Sequence, residues 1–249
     1  TDTIIISFMC GMNYGSVYAV YSLFFANFQK IVSSFTNSLT FKYGQLYQTD
    51  RKRFEREFGA YETVFYMLLF MAYTVITAFL MPVIRLYTSG VADADIYDSK
   101  IFLLLFAAWT VMNGVEIPLI QLQSIAGKFD ETKHQAVLEM VINIAVSIAA
   151  TWRLGIIGCL IGTVAALFYR INALTIYSSK NIIQRSSLKI YKKIAVNTAA
   201  AIGVLLIIGT ESCAATSYIH VALTALLHCL WIVPLFLLAN ILFNFREFK

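Results

Sequence analysis

The sequence predicts an all-α fold: a polytopic membrane helical bundle of about eight transmembrane helices, forming one transmembrane domain over residues 1–249. Three observations carry that expectation. Of the 249 residues, 59% are hydrophobic and only 13% are charged, and the mean hydropathy of +0.72 lies outside the range of soluble globular domains. Apolar runs recur along the chain, several of them long enough to cross roughly 30 Å of hydrocarbon as a helix. No regular alternation of apolar and polar residues marks barrel strands, so backbone groups in lipid must be satisfied within helices.

Taken in order, the spans are expected at 3–15, 18–41, 60–86, 101–126, 135–152, 154–176, 194–210 and 218–243. The first is short. The chain opens at Thr1, and Asp2 stands directly before the apolar run, which reads as a cut rather than a natural start. With no basic region ahead of a cleavage site, no signal peptide is expected. Lys42, Arg51, Lys52, Arg53 and Arg56 follow the second span, and Lys128 and Lys133 follow the fourth. Lys180, Arg185, Lys189, Lys192 and Lys193 follow the sixth, and Arg246 and Lys249 close the chain. Against these fourteen, the opposite loops hold only Arg85, Lys100 and Arg153. The excess places the basic side, and with it both ends, in the cytoplasm. Topology thus accounts for the pI of about 9.0 without nucleic acid as a partner. The basic side also favours anionic inner-leaflet lipids among its membrane partners, in a generic way.

The connecting segments, including 42–59, 178–193, "YTSGVADADIYDSK" and "GTESCAATSY", are too short for a catalytic domain outside the membrane. Cys10, Cys159, Cys213 and Cys229 are isolated, three of them in apolar helix, which suits small buried hydrophobes rather than disulfides or zinc. His134, His220 and His228 lack metal-ligand spacing. No metal, no cofactor and no enzymatic activity are expected. "GIIGCLIG" lies inside a span and is no nucleotide loop; Gly158 and Gly162 form a GxxxG that lets two helices pack closely.

"NFQKIVSSFTNSLTFKYG" is the least membrane-like stretch with the length of a span. At 100° per residue, Asn27, Lys30, Ser34, Asn37 and Ser38 fall on one side and Phe28, Val32, Phe35 and Leu39 on the other. A lysine at mid-span costs about 2.5–3.5 kcal/mol against lipid, so this side is expected to face protein or a hydrated cavity. Elsewhere, Asn113, Glu116 and Gln123 share a face of the fourth span beside Pro118. Glu139, Asn143 and Ser147 are four apart in the fifth. Arg170 lies in the inner half of the sixth. With Asp2, these residues put opposite charges at membrane depth on several helices. Structural ion pairing, for instance Lys30 or Arg170 with Glu116 or Glu139, is one account of them, and a transport pathway is another.

"TDTIIISF", "VYAVYSLF", "GKFDETKHQAVLEMVINIAVSI" and above all "LGIIGCLIGTVAALFYR" carry a resemblance. In order, and over essentially the whole chain, they are similar to the C-terminal half of Wzx-type polysaccharide flippases. These belong to the multidrug/oligosaccharidyl-lipid/polysaccharide (MOP) exporter superfamily, with the MATE and MurJ-type transporters. The resemblance implies one lobe of a two-lobed transporter, with an N-terminal lobe or a second chain completing the pathway. It further implies movement of a lipid-linked oligosaccharide, held on undecaprenyl diphosphate, across the bacterial cytoplasmic membrane by alternating access in polysaccharide biosynthesis, lipopolysaccharide included. Lys30 and Arg170 suit a diphosphate, and Asn27, Ser34, Asn37, Asn113 and Asn143 suit sugars. Glu116, Asp2 and Glu139 are the candidate carriers of a coupling H+ or Na+, because low dielectric favours the neutral carboxyl form.

Rival readings stay open. A drug or cation antiporter of the same superfamily would have a cavity richer in carboxylates and poorer in cations, and Lys30 weighs against it. An intramembrane glycan-modifying enzyme would need a large outer loop or a His-centred site, and His228 stands alone. A half-transporter remnant without activity is the last alternative.

Overall fold

The computed structural model describes residues 2–91, 93–210 and 216–244, and every regular element among them is helical. Eight α-helices follow in order: α1 (Asp2–Met9), α2 (Met12–Thr49), α3 (Arg51–Tyr87), α4 (Lys100–Ala126), α5 (Phe129–Leu154), α6 (Ile156–Asn181), α7 (Leu188–Ile208) and α8 (Tyr218–Asn244). A short 3-10 turn, Ala94–Tyr97, joins α3 to α4. Six of the helices, α3 to α8, are long and apolar enough to cross a membrane. The chain is a multi-pass helical membrane bundle.

Of the eight expected spans, the two at the N-terminal side are not among these six. The expected first span, 3–15, breaks at Gly11, whose φ of +98° no helix accommodates. What precedes the break is the 8-residue α1, about 12 Å long and too short to cross. The expected second span lies within α2, whose 38 residues would reach about 57 Å. Length is no obstacle there; the stripe of Asn27, Lys30 and Ser34 is what makes α2 less apolar than the other six.

Local chemistry sets the joints. Asp50 alone separates α2 from α3, and its carboxylate caps α3 by accepting the Arg53 amide at 3.0 Å. Ser99 caps α4 through the Phe102 amide, and Gly127, left-handed at φ +66°, ends it. Gly155 is the whole connection between α5 and α6.

Packing runs as a chain of neighbours: α5 on α6, α6 on α4, α4 on α2 and α3, and α3 on α7 and α8. Aromatic rings fill the centre. Tyr21, Phe25, Tyr66, Tyr73, Phe102 and Phe106 are almost wholly buried, and the Tyr21 and Phe102 rings meet edge to face at 4.9 Å. The Tyr21 hydroxyl is not left bare, since it donates to the Tyr97 carbonyl at 2.7 Å. One end of the bundle carries Tyr97 and the Arg85–Asp98 pair at 2.8 Å; the other, basic end gathers Arg51, Lys128, Arg185 and Lys193. Along α5 the outward side is apolar, with Val137, Met140, Val141 and Ile148 all exposed, as a lipid-facing helix requires.

α5 and α6 approach so closely because two positions on α6 lack a side chain. A Cβ on Gly158 would strike the Ala150 carbonyl, and one on Gly162 would strike Ser147. The Gly158 neighbour is backbone and cannot yield. We therefore expect Gly158→Ala to destabilise the protein by about 1–3 kcal/mol, read as a lower midpoint of thermal unfolding in detergent. Gly203→Ala, at a site with nothing within 4 Å of the added atom, should leave the midpoint unchanged or slightly higher.

Candidate functional site

The close α5–α6 contact brings the polar faces of both helices against α4 and α1, and two groups of side chains result. The deeper one centres on Arg170, near the middle of α6. Its Nε donates to Glu116 Oε1 at 3.0 Å, and the same nitrogen lies 3.7 Å from Glu139 Oε2. Glu116 comes from α4 and Glu139 from α5, so one guanidinium ties three helices. The side chains of Arg170 and Glu116 are only 11% and 10% exposed, so bulk water does little to screen the pair. Arg170 Nη1 is buried without a hydrogen-bond partner among the described residues. Two carboxylates share one cation here, and that cation retains an unfilled donor.

The second group lies on the acidic-loop side. Asp2 Oδ2 accepts from the Thr163 hydroxyl at 2.9 Å and from the Tyr18 hydroxyl at 3.3 Å. Asn143 Nδ2 donates to Thr163 Oγ1 at 3.3 Å, while Asn143 Oδ1 is buried with no donor among the described residues. Ser147 donates to the Cys159 carbonyl at 3.2 Å. A cavity of about 400 Å³ joins the two groups: Asp2, Tyr18, Trp109, Glu139 and Asn143 all line it. It is large enough for water or a desolvated ion and its ligands.

The residues of α2 behave differently. Asn27 and Lys30 are exposed. Asn27 Nδ2 donates to the Leu23 carbonyl at 2.8 Å and Ser34 Oγ to the Lys30 carbonyl at 2.8 Å, each satisfied within its own helix. Lys30 makes no ion pair among the described residues; of the two cations considered for Glu116 and Glu139, Arg170 is the one that reaches them. Asn113, half-buried, bonds back to the Trp109 carbonyl at 3.0 Å. The side chain of Asn37 lies outside the described residues, as do those of Ser38 and Phe35, and Cys213 and the terminal Arg246 and Lys249 lie outside them altogether. His228 packs edge to face on Phe79 at 5.3 Å, its Nδ1 2.9 Å from the Thr224 carbonyl.

Two polar ties escaped the sequence reading. Glu62, fully buried, receives Lys193 Nζ at 3.2 Å and Arg185, and Lys193 also donates to the Gly59 carbonyl at 2.8 Å. Counted as loop cations, Arg185 and Lys193 gave no hint of this; the available signal was a carboxylate just inside the third span. Gln121 likewise joins three helices, donating to the Thr36 carbonyl at 3.0 Å and accepting from Tyr61 at 2.9 Å.

The chain matches no protein-family model, no curated protein and no solved structure. The residues themselves must therefore carry any functional reading.

Arg170→Met should destabilise the protein by about 3–5 kcal/mol, because it strands two carboxylates against each other in a poorly hydrated site. Adding Glu116→Gln should restore a substantial part of that loss, and thermal unfolding of the single and double variants in detergent checks both statements.

Proposed function

We propose that the chain forms the C-terminal lobe of a Wzx-type flippase, which moves undecaprenyl-diphosphate-linked oligosaccharide across the bacterial cytoplasmic membrane by alternating access. The basic end, where α8 finishes, faces the cytoplasm, and a second lobe or a second chain supplies the other wall of the pathway. The observation that carries the reading is Arg170, a buried cation at membrane depth with an unfilled donor beside a polar cavity. Burying a cation at membrane depth is costly, and binding an anion there is a role that accounts for the cost.

The mechanism follows from competition for that cation. With Glu116 and Glu139 ionised, Arg170 is held by its own bundle. A proton or Na+ taken up at Glu139, or at Asp2 across the shared cavity, loosens the hold and lets Nη1 and Nε donate to a phosphate oxygen. Loss of the ion restores the carboxylate grip and releases the diphosphate. Lys30, on the exposed polar side of α2, meets the same anion from the pathway, and Asn27, Ser34, Asn37, Asn113 and Asn143 offer partners for sugar hydroxyls.

A second reading has its own observation. The cavity of about 400 Å³ is lined by Asp2 and Glu139, by the rings of Tyr18 and Trp109, and by no lysine or arginine among the described residues. That lining suits an organic cation, as in a drug or cation antiporter.

Complementation separates the two. The chain is joined to an N-terminal flippase lobe and expressed in a bacterium lacking its own flippase, and lipid-linked glycan reaching the outer leaflet is scored. Export is expected, falling about tenfold or more in Arg170→Gln/Glu116→Gln, a pair that removes the cation without stranding its main partner. Export unaffected by that pair would overturn the role given to Arg170; no export from the well-expressed fusion, with efflux of a cationic dye lost in Asp2→Asn, would sink the flippase reading and favour the antiporter.

A further inference from the structure

At the basic end, away from the residues above, α3, α7 and α8 enclose a cavity of about 820 Å³. Among the described residues, six cations line it: Lys52, Arg56, Arg185, Lys189, Lys192 and Lys193. Glu55 is the one carboxylate in the lining among the described residues, and it already faces Arg51 at 3.5 Å. Glu62, beneath, is engaged by Lys193 and Arg185. Lys52, Arg56 and Lys192 are exposed and make no ion pair among the described residues. Among the described residues, positive charge therefore remains in excess in a concave site between membrane helices.

The rim has the opposite character. Ile183, Leu242 and Phe243 also line the cavity, and the apolar surface continues along α8, where Leu238, Ile241 and Leu242 are 58%, 48% and 73% exposed. A ligand filling both parts has an anionic head and an apolar tail. A soluble anion would leave the rim unused, and an uncharged lipid would leave the lysines unused.

We propose that this cavity binds the phosphate headgroup of an anionic membrane lipid, with its acyl chains lying along α8. Lys52 and Lys192 act as point charges toward the phosphate, and Arg56 supplies a forked donor. The site depends only on the membrane surface at the basic end and is independent of the transport reading.

The test uses the full chain in detergent micelles, with phosphatidylglycerol, phosphatidylcholine or inorganic phosphate added. Phosphatidylglycerol should raise the midpoint of thermal unfolding by about 5 °C, and one such lipid per chain should survive in native mass spectra. Phosphatidylcholine and inorganic phosphate should do neither. The triple variant Lys52→Gln/Arg56→Gln/Lys192→Gln should lose both effects, and Lys42→Gln/Lys133→Gln/Lys180→Gln, which removes equal charge outside the cavity, should keep them. If the first triple folds poorly, Lys52→Gln/Lys192→Gln should still weaken lipid retention at least about threefold, because two of the cations facing the phosphate are gone. Equal effects of phosphatidylcholine, full retention in the cavity variants, or loss in the control triple would overturn the proposal. The same rise with inorganic phosphate would overturn it in favour of a soluble anion.

Discussion

Arg170 sits near the middle of a helix that hydrocarbon would otherwise surround, and lipid offers a guanidinium no partner. Its counter-charges must come from protein, so α4 and α5 have to stand where Glu116 and Glu139 reach it. That requirement propagates. α5 can come close enough only because Gly158 and Gly162 remove two side chains from α6, and the same approach sets Asn143 against Thr163 and thus places the oxygens around Asp2. α4, drawn in by Glu116, presents its other faces to α2 and α3, where the aromatic centre forms. Geometry near the cation and packing far from it are one arrangement.

Two ion groups at different levels divide the labour. Glu62, fully buried beneath the larger cavity at the basic end, meets two cations, Lys193 and Arg185, and joins α3 to α7. Its chemistry is that of a fastening. The Arg170 group borders a polar cavity, has a carboxylate in surplus and keeps one donor open. Stability favours filling every such valence inside the protein; leaving one open is tolerable where another molecule or ion completes it in turn.

Helical architecture was legible because apolar runs report directly on lipid, and the limits of α4 and α8 fell within a residue or two of the structure. One feature misled. Gly11 breaks the first run by its backbone angle, which hydropathy does not register. Among the candidate residues, helical periodicity correctly grouped those sharing a helix, such as Glu139, Asn143 and Ser147. It could not say which helices meet. Hence Arg170 and Lys30 looked equivalent as partners for Glu116, although α6 lies against α4 at that level and the Lys30 side of α2 is turned away. Glu62 was overlooked for the same reason, since its partners lie more than 120 residues further on.

The single-residue joint at Gly155 bears on how the nascent chain enters the bilayer. α5 and α6 are each 26 residues long with nothing but that glycine between them, so a translocation channel has almost no hydrophilic segment to pass across. Each leg carries a charge that opposes its partition into lipid, Glu139 on one and Arg170 on the other, and the two lie 3.7 Å apart in the finished fold. Entering together as a hairpin, the legs can neutralise each other at the moment of insertion; entering singly, each would face the penalty alone. The tight joint thus couples biogenesis to the charge pair, and release of α5 is best timed to wait for α6.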